Sequence, residues 1–174
     1  MPDGATRQFA HLVALGLGSN LGDRDANLRA ALEALAPGVL VERVSSVYDT
    51  APMLVTEQPR FHNIACLART DLSPHDLLHA VKGIEVALGR RAGVRYGPRL
   101  IDVDILFYDQ LVVDADDLVI PHPRLAERRF ALAPLAEIAP LLRHPILDVT
   151  IQFLLERAPV GDARKLGVLP DHPA

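Results

Sequence analysis

A single cysteine, Cys66, stands in this chain of 174 residues, and it lies within an apolar run. Disulfide frameworks and cysteine-based metal sites are therefore excluded, and the residue reads as a small buried hydrophobe. No apolar run approaches the roughly 18 residues that a membrane-spanning helix needs. The N-terminal stretch carries Asp3, Arg7 and Gln8 before a short apolar segment, which is unlike a secretory signal. A cytoplasmic protein with no membrane partner is the expectation. The sequence also lacks a low-complexity tract, a flexible linker and any repeat of solenoid period. With 49% apolar residues, a chain of this size buries roughly 70% of the surface its unfolded form exposes. A single domain over 1–174 follows, with its core at about 11–158 and a tail at 159–174; a monomer is expected.

The net charge is −4, which argues against a nucleic-acid binder held by phosphate contacts over its whole surface. Its distribution is uneven. Lys82, Arg90, Arg91, Arg95 and Arg99 face one acid, Glu85, between positions 82 and 99, and Arg124, Arg128 and Arg129 follow beside His122. A solvated basic face would explain such runs. A local positive field on an acidic molecule also suits a compact polyanion such as ATP.

Residues 11–19 read as a buried strand, and Asp23 as the N-cap of a helix whose Leu28, Leu32 and Leu35 share a face before Pro37-Gly38 ends it. Val39–Tyr48 and Phe61–Thr70 predict two further strands around a loop bearing Pro52 and Pro59. Ser73-Pro74 opens a second helix that Gly89 stops, and another strand spans Leu100–Tyr108. The order strand, helix, strand, strand, helix, strand is the split βαβ pattern of an α+β, ferredoxin-like sandwich, one mainly antiparallel sheet with helices packed on it. A hairpin near 111–120 and helices at 130–139 and 151–157 extend it towards the C-terminus.

The sharpest chemical feature is Ile101-Asp102-Val103-Asp104-Ile105-Leu106-Phe107. Side chains alternate on a strand, so Ile101, Val103, Ile105 and Phe107 are expected to face the core while Asp102 and Asp104 share the other side. Two carboxylates roughly 7 Å apart repel by about 2 kcal/mol at an effective dielectric of 20. Magnesium, which takes oxygen ligands from one or two carboxylates and from substrate phosphates, would compensate them. A strand face merely decorated with aspartates is the plainer account, but Arg95 and Arg99 arrive just upstream.

Glu85 is a second anomaly. On a helical wheel it falls within the apolar stripe of Leu77, Leu78, Val81 and Leu88. A carboxylate there either pairs with one of the following arginines or stands on the wall of a ligand site. Gly16-Leu17-Gly18-Ser19-Asn20-Leu21-Gly22 lacks both the dinucleotide-binding spacing and a Walker lysine, so by itself it reads as a strand-to-helix turn. His75 and His79 have zinc-like spacing without a third ligand, and a solvated helix face accounts for them. Thr50-Ala51-Pro52 with Phe61 and Asn63 offers an aromatic face and an amide suited to a flat heterocycle.

Together these segments resemble the 6-hydroxymethyl-7,8-dihydropterin pyrophosphokinase family from about Val13 to about Pro140. The likeness rests on Leu17-Gly18-Ser19-Asn20-Leu21-Gly22-Asp23, Ser45-Ser46-Val47-Tyr48 with Thr50 and Pro52, Gln58-Pro59 with Phe61 and Asn63, Ile84-Glu85 with Leu88-Gly89-Arg90, Gly97-Pro98-Arg99 with Ile101 to Leu106, and Pro121-His122-Pro123-Arg124-Leu125 with Arg128 and Phe130. The resemblance implies Mg-dependent transfer of pyrophosphate from ATP to the pterin, giving AMP and the pterin diphosphate for folate synthesis. It implies two Mg²⁺ ions on Asp102 and Asp104, and ATP gripped by Arg90, Arg99, His122 and Arg128, with Lys82, Glu85, Arg91 and Ile105 also in the nucleotide site. The pterin would lie between Phe61 and Phe130, near Thr50, Pro52, Met53, Asn63 and Tyr96. Tyr96 stands where the family usually has tryptophan, and the 90–99 loop is about one residue shorter than in familiar members. Either Arg91 or Arg95 would be its mobile-loop arginine. Glycines at 89, 93 and 97 would suit a loop that closes over ATP.

Two other functions fit parts of the pattern. A nucleotidyltransferase could pair Gly18-Ser19 with the Asp-x-Asp strand, but those elements lie close together in that superfamily and far apart here. A ferredoxin-like RNA-binding module would need exposed aromatics on its strands, and residues 12–20 contain none.

Overall fold

A computed structural model describes residues 9–89 and 97–170. Strand β1 (His11–Ser19) leads to helix α1 (Arg24–Ala34), β2 (Val39–Val44), β3 (Val47–Thr50), β4 (Phe61–Thr70), α2 (Pro74–Ala87) and β5 (Asp102–Tyr108). A short hairpin of β6 (Val113–Asp114) and β7 (Val119–Ile120) follows, then a 3₁₀ turn at Leu125–Glu127, α3 (Arg129–Ile138), α4 (Ile151–Arg157) and β8 (Ala163–Gly167). The sheet runs β5-β1-β4-β3-β8, with β2 also on β4, and every pairing in it is antiparallel. This is the expected ferredoxin-like order. No helix among the described residues is long and apolar enough to cross a membrane.

The caps act as their residue types predict. Asp23 accepts from the Ala26 backbone N–H, and Ser73 accepts from that of Asp76, with Pro74 at the first helical position. Gly89 ends α2 at φ +105°, a conformation that side chains rarely adopt.

Two apolar clusters lie on opposite faces of the sheet. Leu28 and Leu32 of α1 and Leu77, Val81 and Ile84 of α2 pack against Val13, Leu15, Leu17, Ile64, Cys66 and Val103. On the other face, Leu132 and Leu135 of α3 and Ile151 and Leu154 of α4 pack against Ala14, Ala65, Leu67, Leu106 and Phe107. Each fully buried leucine or isoleucine stabilises the fold by about 1.5–3 kcal/mol relative to exposure. Cys66 is buried, as expected, and burial pushes its thiol up to about 12.

Three expectations need correction. Phe107 does not share a face with Ile101, Val103 and Ile105: the β1–β5 register steps from Leu15↔Ile105 to Ala14↔Phe107, leaving Leu106 as an extra residue. This bulge reverses the alternation, so Leu106 and Phe107 both point to the α3 side while Tyr108 joins the α1–α2 core. The strand expected at Val39–Tyr48 is broken at Ser45-Ser46, where Ser45 Oγ accepts from the Ala65 N–H and Ser46 contacts Glu137. Residues 163–167, expected within a tail, form β8 along β3 and cover an edge that would otherwise present unpaired backbone groups. Leu169, just beyond, is buried in the α1–α2 core.

Candidate active site

The site grows from the face of the sheet that α3 only partly covers. Along β1, the residues directed there are Ala14, Gly16 and Gly18, so the central strand offers backbone rather than side chains at its C-terminal end. In register beside Gly18 stand Asp102 on β5 and Asn63 on β4; beside Gly16 stands Asp104; and Thr50 pairs with Phe61 across β3 and β4. Two small residues thus open a trough between a carboxylate wall and an aromatic wall. The resulting pocket has a volume of about 400 Å³, within the usual range for small-molecule sites.

Asp102 and Asp104 share a face as the alternation requires, and both line the pocket. The Asp104 carboxyl is raised to about 6, chiefly by burial, then by the charge of Asp102, with Arg128 and Lys82 opposing. Two acids held side by side at a pocket wall are a place where a cation is favoured.

Basic groups curve around these acids. Lys82 reaches in from α2, Arg99 from the segment before β5, and His122, Arg124 and Arg128 from the loop between β7 and α3. Arg128 Nη1 lies 3.5 Å from Asp104 Oδ2 and 3.2 Å from His122 Nε2. A guanidinium has no lone pair to offer, so His122 Nε2 must accept, which requires a neutral ring. Burial, then the charges of Arg128 and Arg124, lower His122 to about 4, consistent with that state. Arg128 Nε is buried without a hydrogen-bond partner among the described residues. Buried donors of this kind are rare enough to call for an acceptor.

Glu85 is fully buried and stands behind Lys82. Its carboxylate accepts from Lys82 Nζ at 3.0 Å and from the Val103 N–H at 2.7 Å. It therefore joins α2 to the strand that carries both aspartates. The Ile105 side chain is packed in the α1–α2 core, away from the pocket.

The other end of the pocket is flat and less polar. Phe61 and Phe130 line it with Thr50, Pro52, Met53 and Asn63. Asn63 Nδ2 donates to Thr50 Oγ1 at 2.7 Å, which leaves its carbonyl as the acceptor. That oxygen sits against Gly18, where a Cβ would approach it to 2.5 Å. Arg128 lies with its guanidinium carbon 5.6 Å from the Phe130 ring centre and so joins the two ends.

Arg90, Arg91, Arg95 and Tyr96, with the proposed closing loop around them, lie outside the described residues. Sequence reasoning gave no role in the site to Gly16, Gly18 or Asn20. Gly16 and Gly18 form the floor, and their alternation with Leu15 and Leu17 was the available signal. Asn20 receives the Arg99 N–H at 2.7 Å and donates to Gln58 Oε1 and the Pro59 carbonyl, pinning together loops on both sides of the pocket. Arg124, already singled out in the basic cluster beside His122, lines the cavity as well.

Comparison with known proteins agrees with this geometry. The family described as 7,8-dihydro-6-hydroxymethylpterin-pyrophosphokinase (HPPK) matches residues 14–140. The chain is 44% identical over 130 residues to the 2-amino-4-hydroxy-6-hydroxymethyldihydropteridine pyrophosphokinase of Bacillus subtilis, covering 74% of this chain and 78% of that one. It is 42% identical over 151 residues to the folic acid synthesis protein FOL1 of Dictyostelium discoideum, covering 87% of this chain but only 23% of that protein. The chain therefore spans about a quarter of the length of some relatives it matches. In shape it is similar to wild-type Plasmodium falciparum HPPK-DHPS, with a TM-score of 0.69 at 16% identity over 87% of this chain and 45% of that one; at that identity the likeness concerns the fold.

Proposed function

The chain belongs to the 7,8-dihydro-6-hydroxymethylpterin-pyrophosphokinase family, and from that premise we propose that it transfers a pyrophosphoryl group from ATP to 6-hydroxymethyl-7,8-dihydropterin, giving AMP and the pterin diphosphate. The observation that carries this reading is one trough with a paired-carboxylate, arginine-rich end and a ring-lined end bearing a buried amide. The first end suits the phosphates of ATP and the second a flat heterocycle with hydrogen-bonding edges.

Asp102 and Asp104 would hold magnesium. The donor set fits: two oxygen ligands on one strand face suit a cation that completes its shell with phosphate and water. Asp102 and Asp104 lie side by side on the pocket wall, and a bound cation would offset their mutual repulsion. Two ions are proposed, and when bound they would supply charge neutralisation on the phosphate oxygens.

The protein's own groups bind and align. Arg128, whose Nε lacks a protein partner among the described residues, would donate to a phosphate oxygen, with Arg99, Lys82 and Arg124 around it. Neutral His122 would hold the Arg128 guanidinium in place through Nε2. Glu85 would act through Lys82, fixing its ammonium group. Arg90 and Arg91 are proposed to complete the grip on ATP, and the backbone of Ile105, whose side chain is occupied in the core, would be the part of that residue available to the nucleotide. Phe61 and Phe130 would stack on the pterin while Asn63 and Thr50 read its edge, and Pro52, Met53 and Tyr96 would close around it. The acceptor hydroxymethyl oxygen would then face the β-phosphorus in line with the departing AMP oxygen. Catalysis on this reading is positioning and charge stabilisation.

A monomer is proposed as the working unit. The direct test supplies ATP, magnesium and the pterin. AMP and pterin diphosphate appearing in equal amounts is expected; release of ADP or pyrophosphate instead would refute the assignment.

A further inference from the structure

The aromatic slot has two walls that belong to different elements. Phe61 begins β4, and Phe130 lies in the first turn of α3. A ring held between them depends on the separation of the walls, so something must set the position of α3 relative to the β3–β4 end of the sheet. The segment 161–165, which lies beyond the 14–140 region matched by the family, touches both.

On the Phe61 side, Arg60 is clamped. Its Nη1 lies 2.7 Å from Asp162 Oδ2, and its Nε lies 3.0 Å from Asp49 Oδ2. Arg164 Nη2 approaches the same Asp49 oxygen at 3.6 Å, and Arg24 Nη1 donates to the Arg60 carbonyl at 2.9 Å. Asp49 and Arg60 immediately flank Thr50 and Phe61, which are cross-strand partners. The ion pairs therefore staple the slot's strand pair from the face opposite the pocket. On the Phe130 side, Lys165 Nζ lies 3.3 Å from Glu137 Oε1 on α3. Glu137 also accepts from Ser46 Oγ at 2.9 Å and Tyr48 Oη at 2.8 Å on the central sheet. Between these anchors, a Cβ at Gly161 would meet the Arg129 side chain at 3.4 Å, so this segment also lies close against the residue preceding Phe130.

We propose that Asp162 and Lys165, acting through Arg60 and Glu137, are positioning residues that brace the two walls of the aromatic slot and so set affinity for the heterocyclic acceptor. The inference rests on the reading of the site given above. Asp162 and Lys165 have side chains 59% and 55% exposed, so their replacement leaves the core untouched. Each exposed pair contributes little to global stability. Small displacements of a stacking wall nevertheless weaken binding, because alignment is lost steeply with distance.

The test uses the full chain and the variants Asp162→Asn, Lys165→Met and their combination, with Asp162→Glu and Lys165→Arg as conservative controls. KM for the pterin should rise about three- to tenfold in the combined variant, on the scale of two screened ion pairs. KM for ATP and kcat should stay within about twofold, and the conservative variants should recover most of the pterin affinity. Binding of oxidised 6-hydroxymethylpterin, followed by its fluorescence with a non-hydrolysable ATP analogue present, should weaken by the same factor. Unchanged pterin KM, or equal losses for pterin and ATP, would overturn the brace. Should the parent protein neither bind the pterin nor release AMP, the assignment of the site itself fails, which separates the two outcomes.

Discussion

Asp104 sits where burial and a neighbouring carboxylate both disfavour its charge, which raises its carboxyl to about 6. A carboxyl raised in the folded state favours folding below its ordinary value, and that contribution is lost as pH rises through about 6. In cation-free protein at pH 7.5, Asp104→Asn should therefore be more stable than the parent by about 1–2 kcal/mol once screening is allowed for, and should melt at a higher temperature. The same variant, like Asp102→Asn, should lose most turnover. A lower melting temperature for cation-free Asp104→Asn would contradict the electrostatic account, and near-normal rates in both variants would remove the metal assignment. Gly18 tests the other end of the trough. A methyl group there needs the space of Asn63 Oδ1, which the Thr50 hydrogen bond holds in place. Gly18→Ala should displace the amide and weaken the pterin about tenfold, about 1.4 kcal/mol, with ATP affinity retained; separate titrations of the two ligands decide it. The two aspartates were legible because strand alternation is local. The requirement for glycine at 18 was not, because the atom that forbids a side chain comes from position 63.

Among the elements, α2 and β5 are joined through one buried carboxylate. Glu85 accepts from the Val103 N–H and from Lys82, so Glu85→Leu would strand a buried donor and release the ammonium group. A loss of about 2–4 kcal/mol is expected on denaturant unfolding, with Glu85→Gln milder because it keeps an acceptor for Val103. Equal stability of the leucine variant and the parent would rule out the structural half of this role. The wheel position of Glu85 already marked it as anomalous in the sequence. Its partners could not be read there, since Val103 lies on another element. The bulge at Leu106 was hidden for a similar reason: Ile101 to Phe107 alternates well enough by itself, and the register shift exists only in the pairing with β1.

Across the whole molecule, β8 links the sheet edge to α3 through Glu137. Burial pushes that carboxyl up, but hydrogen bonds from Tyr48 and Ser46, aided by Lys165, outweigh it and hold it below the usual carboxylate range. A depressed carboxyl stabilises the fold above its ordinary value, and the contribution is lost as pH falls through the lowered one. Acid unfolding monitored by circular dichroism should therefore be steeper below about pH 4.5 in the parent than in Glu137→Gln; identical acid profiles would refute this. Element types, caps, the ferredoxin-like order and the acidic pair were set by the sequence alone, since they depend on period-2 and period-3.6 patterning and on contacts within a few residues. Only the tertiary structure decided which strand edge β8 covers, how Leu106 turns its strand, and that Gly16 and Gly18 lie beneath both ends of one pocket. Those outcomes depend on which segments, dozens of residues apart, come to share a face of the sheet, and no local pattern encodes that choice.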